Sequence, residues 1–309
     1  MVSQARLLLL CLIVLCSFTA NSGGQEKRAG SCPQDAGDFA RVQQKAQEKD
    51  PAAETTLAFC YDVGRHVMPN GRESIRLLSE AAEQGYAPAQ YEIGRIYLYG
   101  RGIPADYQKA WLWEKKAAEQ GDARAQHDLA FMYERGFGVA PDPAQAAAWN
   151  RKAAAQGVAE AQVHLANALD EGAGGSKNPA EAKQWYAKAA QQKQPAAQLQ
   201  LARAYAQDGK CRLAVHWYKQ AAAGVESKAM LELGRLYLEK KCGADRPQAF
   251  LWFTIGGRFG LQECKTEAKK LAPMLSPAQR KNAQVTAGQW IKKHSGARKD
   301  EDEGEERKR

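Results

Sequence analysis

The chain has 309 residues, 44% of them apolar and 26% charged, and a formal charge of +9. That composition supplies a large folded core and excludes a collagenous or wholly disordered chain. The positive balance favours acidic proteins, anionic glycans or phospholipid headgroups as partners, and the lack of a basic cluster interleaved with aromatics argues against nucleic acid.

The chain opens with one basic residue in Met1–Arg6, a nearly unbroken apolar run from Leu7 to Phe18, and then the small residues Ala20, Ser22, Gly23 and Gly24. That order is read as a secretory signal over residues 1–24. The run is shorter than the roughly 17 residues a transmembrane helix needs, and no later segment is longer and apolar, so the mature chain is expected to have no transmembrane span. Leucines precede Cys11 and Cys16, which speaks against lipidation. The expected localisation is periplasmic or secreted.

Beyond the signal lie Cys32, Cys60, Cys211, Cys242 and Cys264, in a compartment that permits disulfides. None forms a close CxxC pair, so no metal is expected, and no cofactor motif is visible. A segment over 25–50 is expected to hold a capping helix near Asp35–Lys49.

From residue 51 onward a period governs the chain. AAEQG at Ala81–Gly85 returns at Ala117–Gly121 and as AAAQG at Ala153–Gly157, a step of 36 residues. Ala89-Gln90, Ala125-Gln126, Ala161-Gln162 and Ala197-Gln198 keep the same step, and Trp113, Trp149, Trp185, Trp217 and Trp252 form a third series. In Ala-x-x-Trp-x-x-x-Ala the alanines share a helical face with the indole, which is expected to fill the space beside a closely approaching partner helix. Ile93 and Tyr97, with Leu129 and Tyr133, mark a second amphipathic helix per unit. Glycine and proline between the two, followed by Asp106, Asp142 or Asn178 at the cap position, complete a helix-turn-helix. Six units are expected, over 51–86, 87–122, 123–158, 159–194, 195–226 and 227–260. C-terminal capping helices over 261–296, one of them near Pro277–Lys293, and a charged disordered tail over 297–309 follow. Departures fall at the first unit, at Lys193 in place of glycine, and at the short turn Gln207–Cys211.

The alternation AQYEIGRIYLYGRGIP…KAWLWEKKAAEQG resembles a Sel-one-like repeat, a relative of the tetratricopeptide repeat, over roughly residues 55–260. MLSPAQRKNAQVTAGQW, from Met274 to Trp290, is similar to the closing helix of many bacterial members. The resemblance implies an all-α fold, an αα-hairpin solenoid wound as a right-handed superhelix, in which each hairpin buries its apolar face against its neighbours. It further implies a scaffold or adaptor for protein complexes, the exported bacterial members being linked to envelope assembly, signalling and host contact.

By analogy with tetratricopeptide solenoids, the first-helix surface lines a concave groove able to take an extended peptide. Helical phase puts Glu92, Arg95 and Tyr99 there, then Arg124, Asp128, Phe131 and Arg135, then His164 and Asn167, then Arg203, and then Glu232 and Arg235. Any solvated helix face is polar and mixed in charge, so the stripe as a whole carries the expectation, sharpened by its aromatics and arginines. Trp111, nearly opposite Trp113 on its helix, covers the adjacent turn or meets a partner. Stacking places Cys211 and Cys242 on one edge, where they are expected to pair. Cys32, ahead of the N-terminal helix, is expected to pair with Cys60, which leaves Cys264 free.

No Ser-x-x-Lys, GxSxG, HExxH or phosphate-cradling GxxxxGK[ST] occurs, so a β-lactamase-like or other hydrolase is the weaker reading and a non-enzymatic binder the stronger. A binder of anionic glycan or peptidoglycan is the alternative to a protein partner.

Overall fold

The computed structural model describes residues 31–294. The signal over 1–24 and the tail over 297–309 lie outside the described residues. Within them the chain forms fifteen α-helices, two short 3-10 turns and no strand, and divides into two compact units, one ending at Ile93 and the other beginning at Gly94.

The first unit contains α1 (Ala36–Gln47), α2 (Pro51–Val63), α3 (Gly71–Glu83) and the first turns of α4 (Ala87–Tyr99). Asp35 caps α1 through the N–H groups of Gly37 and Asp38, Asp50 caps α2, and Asn70 caps α3, each satisfying a donor that the helix leaves without a partner. A disulfide joins Cys32 to Cys60 in α2, with Cα atoms 4.9 Å apart. Phe39 of α1 stacks on His66 in the turn after α2, ring centres 4.8 Å apart. Glu54 of α2 is fully buried. It accepts from Gln84 Nε2 at 2.8 Å and lies 3.6 Å from Lys49 Nζ, and burial raises its pKa in spite of that ammonium.

In the second unit, the rest of α4 is followed by α5 (Tyr107–Glu119), α6 (Ala123–Arg135), α7 (Pro143–Ala155), α8 (Ala159–Glu171) and α9 (Pro179–Gln191). Then come α10 (Pro195–Gln207), α11 (Cys211–Ala223), α12 (Ser227–Leu236) and α13 (Arg246–Arg258), and finally α14 (Gln262–Leu271) and α15 (Pro277–His294). Even-numbered helices from α2 to α12 open a hairpin and the next odd-numbered helix closes it. Asp106, Asp142, Asn178 and Asp245 cap α5, α7, α9 and α13.

The alanine-glutamine series has a polar purpose as well as a packing one. Ala125, Ala161 and Ala197 are fully buried. The neighbouring Gln126, Gln162 and Gln198 are nearly so, and each donates from Nε2 to a carbonyl at the end of the preceding hairpin: Ala118, Ala154 and Ala190, at 3.1 to 3.2 Å. Gln156 and Gln192, from the ends of α7 and α9, donate in turn to the Oε1 atoms of Gln126 and Gln162 at 2.9 and 3.0 Å. This ladder satisfies helix-end carbonyls that would otherwise be buried without donors.

The turns between hairpins need a left-handed residue. Gly121 and Gly157 supply it at φ 95°, and Lys193 takes the same region at φ 65°, so the turn survives its replacement of glycine at a backbone cost. Gly138, in the turn after α6, allows another close approach: a Cβ there would stand 2.0 Å from the Tyr107 carbonyl oxygen.

The tryptophan series behaves differently from expectation. Ala110, Ala117, Ala146, Ala153, Ala182 and Ala189 are buried, but Trp113, Trp149 and Trp185 are only half-buried. Lysine ammonium groups lie over their faces, Lys116 at 4.2 Å, Lys152 at 3.6 Å and Lys188 at 3.9 Å from the ring centres. One place later the residue is buried in every copy, Glu114, Asn150, Tyr186, Tyr218 and Phe253, whereas Trp252 is the only tryptophan of the series that is itself buried. A step of 100° turns that later residue onto the first helix of its own hairpin and leaves the first four indoles at the rim. Trp111 and Phe137, the latter in the turn after α6, are both partly buried against Leu98, Ala110 and Met132.

The apolar core grows toward the C-terminus, where Met230, Leu233, Trp252, Phe253 and Ile255 gather with α14 and α15. Cys211 and Cys242 form a disulfide there, Cα atoms 5.5 Å apart. Cys264 is a buried free thiol whose pKa burial pushes up to about 11, which makes it an inert packing residue.

Candidate functional site

The first-helix stripe of the second unit begins on α4. Arg95 lies against Asp128 of α6, Nε to Oδ2 3.9 Å, and its guanidinium stands 5.4 Å from the centre of the Tyr99 ring, one turn further along α4. One hairpin on, the same two positions are occupied in reverse chemical order. Phe131 replaces Arg95, Arg135 replaces Tyr99, and the Arg135 guanidinium lies 5.6 Å from the Phe131 ring centre. Tyr99 is 53% exposed. Two arginine–aromatic pairs thus stand side by side, made of the residue types that dominate interface energetics and held by cation–π attraction.

Behind them lies a polar network that joins three helices. His127 Nδ1 is 3.1 Å from Asn150 Oδ1, Asn150 Nδ2 donates to Glu134 Oε1 at 3.2 Å, and His164 Nδ1 sits 3.3 Å from Glu134 Oε2. The His127 and His164 rings meet edge to face at 5.2 Å. Burial opposes ionisation of Glu134, but the His164 contact and the charges around it hold its pKa below the usual value. Asp128 shows the opposite balance. Burial raises its pKa, with Arg95, His127 and Arg124 acting against the rise.

Further along, Tyr186 of α9 donates to Asn167 Oδ1 of α8 at 2.6 Å. Arg203 of α10 makes a fork onto Glu232 of α12, with Nε 2.9 and 3.0 Å from its two oxygens, and Tyr218 donates to the same carboxylate at 3.0 Å. Burial raises the pKa of both tyrosines, so each stays a neutral donor at physiological pH. Bidentate geometry fixes the guanidinium plane.

The stripe therefore brings together Arg95 with Asp128, His164 with Glu134, Asn167 with Tyr186, and Arg203 with Glu232. Other expected members go elsewhere. Arg124 folds back on the cap of its own helix, 2.9 Å from Asp122 Oδ2, and Arg235 reaches on to Glu263 of α14 at 3.2 Å. Glu92 is half-buried in the part of α4 that belongs to the first unit. Helical phase alone leaves out His127 and Glu134, which sit beside the stripe on α6, and Asn150, Tyr186 and Tyr218, which come from the second helices α7, α9 and α11. The signal for the last three is in the sequence as the position after each tryptophan.

Among the described residues no group of three or more metal-binding side chains gathers, and no helix is long and apolar enough to cross a membrane. What the site offers is a row of preset donors, acceptors and aromatic faces on a rigid helical frame.

Such a row on stacked αα-hairpins defines a helical-repeat protein of the solenoid class. The model of the Sel1 repeat matches residues 51–86, 87–122, 123–158, 159–193, 195–224 and 227–256, and the chain belongs to the Sel1 repeat family, whose members generally mediate protein–protein interaction. Among solved structures it is similar to a protective antigen present in uropathogenic Escherichia coli strains that displays an SLR fold. The identity is 29% and the TM-score 0.72, covering 84% of this chain and 56% of that one. It is also similar to a Sel1 repeat protein from Oxalobacter formigenes, 29% identical with a TM-score of 0.61, covering 74% of this chain and 68% of that one. The chain thus spans little more than half the length of the antigen. No curated protein sequence matches it.

Proposed function

We propose that this protein is a non-enzymatic scaffold or adaptor of the periplasm or cell envelope, holding a protein partner along the first-helix stripe of α4, α6, α8 and α10. The adjacent pairs Arg95–Tyr99 and Phe131–Arg135 carry this reading. Both present a guanidinium stacked on an aromatic ring, and the carboxylate of Asp128 and the His127–Asn150–Glu134–His164 network hold their surroundings in place. Preset side chains lose less entropy on binding than free ones. Crosslinking and affinity capture of the exported protein from its own envelope, followed by the same capture with Arg95→Ala and Phe131→Ala combined, tests it. Loss of at least about 2 kcal/mol of binding to the captured protein is expected. Undiminished capture by the double variant would sink the stripe as the binding surface.

A second reading is favoured by one observation, the Lys116–Trp113, Lys152–Trp149 and Lys188–Trp185 stacks that recur along α5, α7 and α9. Repeated cations beside aromatic faces suit an anionic glycan. Retention on an acidic polysaccharide that disappears at high salt would support the glycan, whereas salt-tolerant capture of a protein supports the adaptor.

A further inference from the structure

On a different surface from the stripe, a hollow of about 420 Å³ opens between α7, α8 and the turn 172–178. Leu165 lies buried at its base, and Ala147, Ala168, Ala173 and Gly175 line its sides. The neighbouring repeats show why it is empty. One repeat earlier, 36 residues back, Ala147 is Trp111, Ala168 is Met132, Ala173 is Phe137 and Gly175 is Val139. There Trp111 and Phe137 pack against buried Met132 and close the same space. One repeat later the position of Ala147 is Lys183, which forms an ion pair with Asp208 and lies 4.4 Å from the Tyr205 ring centre. Four large-to-small changes from the preceding repeat thus fall together around this hollow.

We propose that this hollow is a binding site for an aromatic side chain of a partner protein, with a carboxylate next to that side chain. The chain itself shows what the space holds, since it fills it with an indole and a phenyl ring in the preceding repeat. The volume is that of a small-ligand site, and aromatic side chains are enriched among the residues that dominate protein interfaces from well-packed pockets near their centres. Charge sets the neighbour. The rim carries Arg151 and Lys177 against the single carboxylate of Glu181, and that carboxylate is already engaged by Arg151, by Trp185 Nε1 at 3.2 Å and by Asn178 Nδ2 at 3.2 Å. The rim is left with net positive charge facing the opening.

Calorimetric or NMR titration of the full exported chain with N-acetyl-tryptophan, which carries both the ring and the carboxylate, tests this. Saturable one-to-one binding is expected, with at least about tenfold weaker binding of N-acetyl-leucine and a smaller loss for N-acetyl-tryptophanamide. Ala173→Phe and Ala147→Trp, which restore the residues of the preceding repeat, should each weaken the probe by at least about tenfold while keeping the helical circular dichroism and the melting temperature. Ala168→Met fills the hollow from a third direction if either of them unfolds. Absence of saturable binding, or equal affinity in the filled variants, would overturn the proposal.

Discussion

The hairpins from α4 to α9 and those from α10 to α13 share one frame and use it differently. At the position after the tryptophan, the earlier hairpins bury Glu114, Asn150 and Tyr186, and the later ones bury Tyr218 and Phe253. Where Asn150 sits, the first-helix surface above it holds His127, Glu134 and His164. Where Phe253 sits, its ring lies so close to α12 that a Cβ on Gly234 would come within 2.4 Å of it. The later hairpins also carry the Cys211–Cys242 bond and the larger apolar core. A repeat fixes the backbone and leaves one inward position per hairpin free to be spent on surface chemistry or on stability. Here the chain does the first from Asn150 to Tyr218, whose side chains bond to the first helices, and the second at Phe253.

The largest test of that division is Phe253→Ala. A fully buried ring packed on a glycine is expected to cost about 3–5 kcal/mol, because neither helix collapses easily into the space, and denaturant unfolding reads it. A loss under about 1 kcal/mol would mean that the C-terminal core is not the stabilising region. Next comes Cys211→Ser with Cys242→Ser, expected to remove about 2–4 kcal/mol relative to the oxidised protein. Reductant alone should reproduce that shift, and its failure to do so would separate the bond from the substitutions.

In the middle hairpins the expected costs are smaller. Asn150→Leu leaves His127 and Glu134 without the amide that joins them, at about 1–3 kcal/mol for a buried polar group that loses its partner. Partner capture should fall with it, which Phe253→Ala in a protein still folded should not cause. The two carboxylates of this region have opposite pH signatures. Glu134 has a depressed pKa, so its contribution is present above the unfolded value of about 4.3 and is lost as pH falls through the folded one. Asp128 has a raised pKa, so its contribution is present below the unfolded value and is lost as pH rises through the folded one. Between pH 3 and 7, Glu134→Gln should therefore lose ground to the wild type as pH rises, and Asp128→Asn should gain it. Parallel profiles would show that the two groups do not sit in the environments described.

How much of this was legible in the sequence follows from the same division. The repeat, the helix pairs and caps such as Asp106 and Asp142 follow from spacing, since local hydrogen bonding and a 36-residue period need no knowledge of neighbours. Four of the five tryptophans of the series stay at the rim while the residue after each turns inward, and only Trp252 is itself buried. Aromatic size suggested burial, but the phase of the alanines allows the rim as well as the interior, and only packing between helices decides. The stripe was legible as a face but not as a network. Its partners Asn150, Tyr186 and Tyr218 come from the second helices, and which first-helix residue each meets depends on the stacking of hairpins. The hollow at Ala147 was legible only as an absence, visible once one repeat is laid over the one before.

The smallest effect lies in the turns. Gly121 and Gly157 turn the chain at φ 95° between the middle hairpins, and at the corresponding place after α11 the shortened segment puts Val225 at φ 61°. A β-branched side chain in the left-handed region crowds the carbonyl beside it, at about 1–2 kcal/mol. The later hairpins tolerate that strain because their core and disulfide hold α11 and α12 in place. Val225→Gly relieves it, but glycine also widens the unfolded ensemble and returns part of the gain. The expected net stabilisation is about 0.5–1 kcal/mol, read as a higher unfolding midpoint at unchanged slope. The gain should be larger in the protein reduced at Cys211 and Cys242, where less remains to hold the turn. An equal or smaller gain there would show that the turn bears its strain without help from the bond.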